Sequence, residues 1–392
     1  MIFQALGARY SLGMAVKHLV ARGSEVDSDK LRQALCDRYG GEVMLYRKGR
    51  AALAQAIGLA TSGRGGEVAI SGLTCYSVVQ AVEAVGCTPV YVDIRESDLQ
   101  FGAKELLTVV KNHPDIKVVV VQNMLGIPAD MAGIEKVARA AGLVVIEDLA
   151  HSAGAHYADG REVGTVGDMT MLSFGRDKAI DSVNGGALVV RHGDERAIAP
   201  VVTPKRSDQL RDRWYPLIAW TTRALYPVKL GPYVMAAAIK ARLVVRSADG
   251  EVDMTEQLPH WQAKLALGQA VSLTTTAVRR RQKAAIYQDR LPALVPSGVN
   301  QAGAAPIRVP LVVNNRDEVV AYLRAHGVQA NDIWYDVPVS PVRLYDRVQY
   351  PEADCPVAVR VATRLLNVPT HERIGSDAAV RIATLVAEAV KS

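Results

Sequence analysis

Ile146-Glu147-Asp148-Leu149-Ala150-His151 and, further along, Ser173-Phe174-Gly175-Arg176-Asp177-Lys178 are the two stretches on which the reading of this chain turns. Each comes after an apolar, β-like run, Gly142 to Ile146 in the first case and Met169 to Phe174 in the second. Asp148 and Lys178 are therefore expected where strands end in an α/β sheet, the place such sheets bind ligands. A carboxylate and an amine so placed suit pyridoxal phosphate. That cofactor needs a lysine to hold it as a Schiff base, and a carboxylate to keep its pyridine nitrogen protonated so that the ring accepts electrons.

Outward from these stretches the first half alternates helix and strand. Helical patterns cover Ala51 to Ala60, Ser77 to Val85, Ala103 to Lys111 and Met131 to Ala140; strand patterns cover Glu67 to Ser71, Pro89 to Asp93, Lys117 to Gln122 and Leu143 to Ile146. Such alternation predicts an α/β fold with a mostly parallel central sheet and helices on both faces. After Arg191 the pattern changes. An apolar, basic, proline-punctuated insertion runs over about 197–250, and a long helical pattern from Leu258 to Leu291 should bridge to a smaller C-terminal α/β domain. The division expected is 1–255 for the large domain and 256–392 for the bridge and the small one.

Composition bounds the function without deciding it. With 392 residues, 49% hydrophobic and 22% charged, the chain has room for a large core. A formal charge of +6 admits an anionic partner. Its cations are scattered, however, and the densest cluster, Arg279-Arg280-Arg281 with Lys283, fits a solvated helix face rather than a nucleic-acid groove. No nucleic-acid partner is expected. Cys36, Cys75, Cys87 and Cys355 lack paired metal-ligand spacing, which points to a reduced, cytoplasmic setting and to no metal. Met1 to Val20 is interrupted by Arg9, Lys17 and His18 and lacks a signal-peptide core, and no apolar run is long enough to span a bilayer.

Further motifs occur in order: Gly49-Arg50-Ala51-Ala52-Leu53; Leu73-Thr74, then Pro89-Val90-Tyr91-Val92-Asp93-Ile94; Gly126-Ile127-Pro128-Ala129-Asp130-Met131; Gly154-Ala155; Gly167-Asp168; Gly185-Gly186; Gln262-Ala263; Cys355-Pro356 and Leu366 to Pro369. In this order and spacing, from about Gly23 onward, the chain resembles the DegT/StrS-like sugar aminotransferases, pyridoxal-phosphate enzymes of fold type I.

The resemblance implies roles residue by residue. Lys178 becomes the Schiff-base lysine and the carrier of the proton. Asp148 pairs with the pyridinium nitrogen; its plainer alternative is a helix N-cap after a strand. His151 stands where relatives carry Gln or His, and implies contact with the cofactor's phenolic oxygen or ring face; a structural histidine is the alternative. Ser173 and the turn Gly49-Arg50-Ala51 are implied in phosphate binding, where a helix start offers free N–H groups and a favourable dipole. Arg50 replaces a small hydroxyl residue and either adds a charge-assisted bond to the phosphate or points to solvent.

Three departures stand out. Cys75, with Tyr76 beside it, occupies the place of the aromatic residue that stacks on the cofactor in relatives. The Gly-x-Asn-Tyr-Arg-type segment lent across the dimer is not recognisable before Met254-Thr255-Glu256-Gln257. A histidine is missing downstream of Trp334-Tyr335-Asp336-Val337-Pro338.

What the resemblance implies is a homodimeric aminotransferase that moves an amino group from glutamate or glutamine to a keto-sugar, nucleotide-linked as in relatives. Two rivals are a dehydratase of the same fold, against which the retained Lys178 argues, and a catalytically silent regulatory protein. Residues 214–246 interleave aromatic and aliphatic residues with cations and no acidic residue. They read either as helices packed on the partner subunit or over the active site, or as a peripheral membrane segment, in which case the acceptor is a lipid-linked keto-sugar.

Overall fold

The computed structural model describes residues 1–191 and 199–391; the first two residues of the insertion read from the sequence, 197 and 198, lie outside the described residues. In chain order the first part carries strands β1 (Ile2–Phe3), β2 (Glu42–Tyr46), β3 (Gly66–Ser71), β4 (Thr74–Cys75), β5 (Cys87–Val92), β6 (Ile116–Gln122), β7 (Val144–Asp148), β8 (Met169–Ser173) and β9 (Gly186–Val190). Seven of them form one sheet in the order β2-β9-β8-β7-β6-β3-β5. Every pairing is parallel except those of β9, which runs antiparallel to both β2 and β8.

The centre of the sheet is dictated by its residues. β6 is Ile-Lys-Val-Val-Val-Val-Gln, a β-branched run that is stiff in χ1 and comfortable in a pleat covered on both faces. Val119 and Val121 enter one core with Val145, Leu172 and Val189; Val118 and Val120 enter the other with Ile146, Met171 and Leu188. The helices between strands, α1 (Leu12–Val20), α2 (Glu25–Tyr39), α3 (Gly49–Ala60), α4 (Tyr76–Glu83), α5 (Ala103–Asn112) and α6 (Met131–Ala141), lie within a residue or two of the sequence patterns where those were read. The Asp130-Met131 motif is a helix start. The Asp130 side chain accepts the Gly133 N–H, and Gly142 closes α6 in the left-handed region at φ 67°.

Parallel pairing brings the C-terminal ends of β6, β7 and β8 to one edge, together with the start of the antiparallel β9. Here the N-terminus of α3 approaches very closely. A Cβ on Gly186 would stand 2.5 Å from the Gly49 Cα, and one on Gly49 would stand 2.9 Å from the Ser173 Cβ. Two glycines are what lets a helix start meet two strand ends.

The insertion folds as two helices, α7 (Arg206–Ala224) and α8 (Gly231–Lys240), packed on each other, with α7 also packed on α1. The bridging pattern is not one helix but two, α9 (His260–Ala270) and α10 (Leu273–Arg290). They part at Val271-Ser272 because each serves a different body: α9 packs on α2, and α10 packs on α13 (Ser376–Lys391). Beyond lie β10 (Arg308–Val312), α11 (Arg316–Ala325), β11 (Val328–Gln329), β12 (Val339–Ser340), α12 (Pro356–Ala362) and β13 (Leu365–Pro369), with β10 antiparallel to β13. The expected division puts residues 1–20 with the large domain, whereas β1 lies parallel to β11 in the C-terminal part.

Candidate active site

A cavity of about 990 Å³ opens along the sheet edge, and Asp148, His151, Ser173 and Lys178 all line it. Asp148 is the last residue of β7. No helix starts after it, so it is not a helix cap; its Oδ1 accepts the Ala150 N–H at 2.8 Å in a local turn. Burial pushes its carboxyl up to about 6, against the pull of that N–H, of Lys178 and of the Gln122 side chain. Such a carboxylate is undersupplied with positive partners. It fits a protonated ring nitrogen.

Its neighbour Glu147 points to the other side of the strand and is wholly structural. It accepts Tyr157 Oη at 2.6 Å, the Gly164 N–H at 2.6 Å and the Val166 N–H at 2.7 Å, which fixes the loop leading into β8. Asp168 adds to the same joint by accepting the Val145 N–H at 2.8 Å.

Lys178 lies past the end of β8, in the turn after Ser173, and not on the strand. Burial pushes its ammonium down to about 8. Its Nζ stands 2.7 Å from His151 Nε2 and 4.4 Å from the centre of the Trp334 ring. The imidazole's other nitrogen, Nδ1, accepts the Leu125 N–H at 3.2 Å and faces Tyr335 Oη at 3.1 Å. With Nδ1 accepting a backbone donor, the proton of a neutral ring sits on Nε2 and points at the lysine, which then presents a lone pair. Burial holds His151 well below the usual histidine range, as that neutral form requires. Above about pH 8 the lysine and the imidazole are thus matched as neutral nucleophile and neutral donor.

Several residues around this pair hold backbone angles that L-residues avoid: Leu125 at φ 54°, Asp177 at 62° and Tyr335 at 67°. Strain of this kind collects at functional sites.

The sequence reading missed Trp334 and Tyr335 as site residues. Trp334 stacks on His151 at 4.7 Å and 16°, and its other partner is the buried Arg308, whose guanidinium carbon lies 3.8 Å from the ring centre. Arg308 in turn donates to the Asp332 carbonyl at 2.6 Å and to its Oδ2 at 2.8 Å. An aromatic ring is therefore present in the cavity, although Cys75 is not aromatic, but the protein's own His151, Lys178 and Arg308 lie against it. Nothing local announces Trp334, which reaches the site from the C-terminal part of the chain.

One expected residue stands elsewhere, and another is engaged in an unexpected way. Tyr76 is buried in the core under the sheet and does not line the cavity, because the first turn of α4 rotates it away from Cys75, which does. Arg50 does not face solvent; it lines the cavity with both terminal nitrogens of its guanidinium already engaged. It is buried and donates to the carbonyls of Ala248 and Gly250, at 3.2 Å each, to that of Ser247, and to Gln80 Oε1 at 2.6 Å. It clamps the end of the insertion. Ala51 is buried in the core, so only its backbone is available at the helix start. Gly49 lines the cavity beside Ser173, whose Oγ accepts the Gly175 N–H at 3.4 Å.

Pyridoxal phosphate fits this donor set: a buried carboxylate at one strand end, a buried amine whose ammonium is pushed down to about 8, and a helix start backed by Ser173 for the phosphate.

The insertion closes the far side. Tyr215, Tyr226, Met235, Ile239 and Val244 line the cavity opposite the sheet edge. Arg176 ties the walls together, donating to the Val245 carbonyl at 2.8 Å with its guanidinium carbon 3.6 Å from the Tyr215 ring centre.

Comparison with known proteins agrees with this geometry. The model of the DegT/DnrJ/EryC1/StrS aminotransferase family matches residues 21–387. The chain is similar to the UDP-N-acetyl-3-dehydro-alpha-D-glucosamine 3-aminotransferase of Acidithiobacillus ferrooxidans, 27% identical over 86% of this chain and 81% of that one. It is also similar to the GDP-perosamine synthase of Caulobacter vibrioides, at 27% over 79% and 75% respectively. Among solved structures, a DegT DnrJ EryC1 StrS aminotransferase from Brucella abortus shares the fold, with a TM-score of 0.70, 20% identity and coverage of 98% of this chain and 92% of that one.

Proposed function

From the premise that this chain belongs to the DegT/DnrJ/EryC1/StrS aminotransferase family, and is a pyridoxal-phosphate-dependent sugar aminotransferase, we propose that it takes an amino group from glutamate or glutamine and passes it to a nucleotide-linked keto-sugar. The observation that carries this reading is the meeting of Lys178, His151 and Asp148 in one cavity, with the amine 2.7 Å from the imidazole.

When bound, pyridoxal phosphate supplies an electron-accepting ring conjugated to the nitrogen in transfer. Asp148 would hold the proton on the ring nitrogen. Gly49, the backbone at Arg50 and Ala51, and Ser173 would hold the phosphate. Lys178 would anchor the group, and its Nζ would be the atom that carries the proton, a role worth on the order of a hundredfold to ten-thousandfold. His151, 2.7 Å away, orients that amine. Cys75 lines the same cavity without supplying a stacking face, and Trp334 gives the site its aromatic surface.

The names of the relatives, a UDP-sugar enzyme and a GDP-sugar enzyme, support the nucleotide-linked acceptor. A homodimer and a reduced cytoplasmic setting belong to the same reading; the latter is supported by four cysteines that are all free.

Visible absorbance of the purified protein tests it. Colour that bleaches on adding glutamate, and returns when a keto-sugar nucleotide is added, is the expected result. A colourless protein favours the silent regulator. Return of colour with a lipid-linked keto-sugar only would move the acceptor to that class.

A further inference from the structure

The outer face of α8 is not that of a helix meeting water. Its exposed positions are Pro232, Tyr233, Ala236, Ala237 and Lys240, a stripe with one charged residue, where a surface helix ordinarily carries charged and polar side chains. The chain on either side continues the pattern. Val228 is 62% exposed and Leu230 53% ahead of the helix, and Leu243 is 50% exposed beyond it, while Tyr233 itself is 72% exposed.

The charge on this face is of one sign. From Arg213 to Ala248 the sequence has no aspartate or glutamate. Two of its arginines are turned inward and engaged: Arg213 donates to the Ala21 carbonyl at 2.7 Å, and Arg223 to the Leu6 carbonyl at 2.7 Å. The other four cations, Lys229, Lys240, Arg242 and Arg246, have no carboxylate partner among the described residues.

Exposed aromatic and aliphatic side chains set among unpaired cations match an anionic bilayer surface. The rings and branched chains settle at the headgroup level while the cations meet phosphate. A second copy placed on the same patch about a twofold axis would bring like charges together, which costs association rather than favouring it. We propose that the α8 hairpin docks this protein peripherally on an anionic lipid surface.

α8 has 10 residues, and no described helix is long and apolar enough to cross a membrane, so the contact lies in the plane of the interface. Because Pro232, Ala236 and Lys240 also line the cavity, docking sets the rim of the active site against the headgroups.

The test is flotation of the cofactor-loaded protein with phosphatidylcholine vesicles, with and without phosphatidylglycerol, at low and high salt. Two variants lie outside the cavity lining: Leu230→Ser with Tyr233→Ser, and Lys229→Gln with Arg242→Gln. The wild type should float with the anionic vesicles only, and less so in high salt. At about a fivefold loss per surface cation, the charge variant should bind about twenty-five times more weakly. Both variants should keep wild-type cofactor absorbance and glutamate bleaching. If the apolar variant loses its colour, the charge variant, confined to solvated side chains, decides alone. Absence of flotation at low salt overturns the proposal, as does flotation that neither variant alters. A change of molecular mass by light scattering in the apolar variant, with flotation unaltered, would instead make this face a contact between copies.

Discussion

The two walls of the cavity are built on different terms. The sheet-edge wall holds Asp148 and Lys178, both desolvated, with titration pushed to about 6 and about 8. The opposite wall, from the insertion and from the Trp334-Tyr335 segment, is largely apolar with Lys240 and Arg246 at it, and arginines hold it in place by gripping main-chain carbonyls: Arg50 on Ala248 and Gly250, Arg176 on Val245. Burial on the first wall creates reactivity, because a group denied water changes its charge state. Burial on the second creates shape. A substitution on the first should therefore alter chemistry with little loss of fold, and one on the second should alter order or affinity with little change in chemistry.

The sharpest break of this contrast is Lys178→Ala. Turnover should be abolished, while thermal unfolding of the apoprotein shows no loss of stability, since the change removes a desolvated amine and not a core contact. Wild-type turnover in that variant would dismiss the assignment.

Asp148→Asn comes next and should separate stability from binding. Its carboxyl titrates near 6 in the folded apoprotein and near 4 when unfolded, so its contribution is fully present below about 4 and is lost as pH rises through about 6. At neutral pH the buried charge disfavours the apo fold by about 3 kcal/mol. The amide should therefore raise the melting temperature of the apoprotein at pH 7 but not at pH 4, and yet weaken cofactor binding and slow the half-reaction with glutamate. An unchanged half-reaction rate would leave Asp148 with a turn-forming role only.

Arg50→Ala probes the second wall. It strips donors from the carbonyls of Ser247, Ala248 and Gly250, at about 1–3 kcal/mol for groups left unsatisfied. Faster limited proteolysis near 246–250, with cofactor affinity changed much less, is the expected outcome. A collapse of affinity would return Arg50 to the phosphate.

The smallest effect is expected from Trp334→Ala. Loss of the stacked ring should admit water to Lys178, whose amine is neutral above about pH 8 because of burial. In the wild type, the rate of cofactor loading should rise through about pH 8 and level off; in the variant, the midpoint should move upward. A cation–π contact at such a site is worth about 0.5–2 kcal/mol, which opposes the shift without reversing it. A midpoint that stays put would show that Trp334 does not control the water.

The sheet and its reactive edge were readable because strand ends are local. β6 and β7 are short apolar runs, and the residues next to them in the chain are the ones that stand at the edge in space. Glu147 and Asp148 even divide their tasks by strand alternation alone. The far wall was readable only in part: residues 214–246 read as helices over the active site or on the partner subunit, but the residues that complete the wall come from far along the chain. Trp334 meets Lys178 only because the C-terminal part folds back over the sheet, and no periodicity in its own neighbourhood reports that. Arg50 lines the cavity as its place at a helix start suggests, but the carbonyls that claim it belong to residues 247–250, far along the chain, and nothing beside it reports them. Tyr76 was misplaced by one step of helical rotation. The reading of α9 and α10 as one helix failed at Val271-Ser272, since apolar periodicity continues across a bend that only the two packing partners impose.

The strand at β1 has a practical side. Ile2 donates to the Gly327 carbonyl at 2.9 Å, Gln4 to that of Gln329 at 3.0 Å, and Arg9 to the carbonyl of Lys178 itself at 3.1 Å. Residues 2–9 leave the ribosome long before 327–329 exist, so they must wait unpaired until synthesis is nearly done, a non-local closure of the kind that slows folding. The same closure ties residues 2–9 to the chemistry: whatever displaces them acts, through one arginine, on the backbone of the reactive lysine.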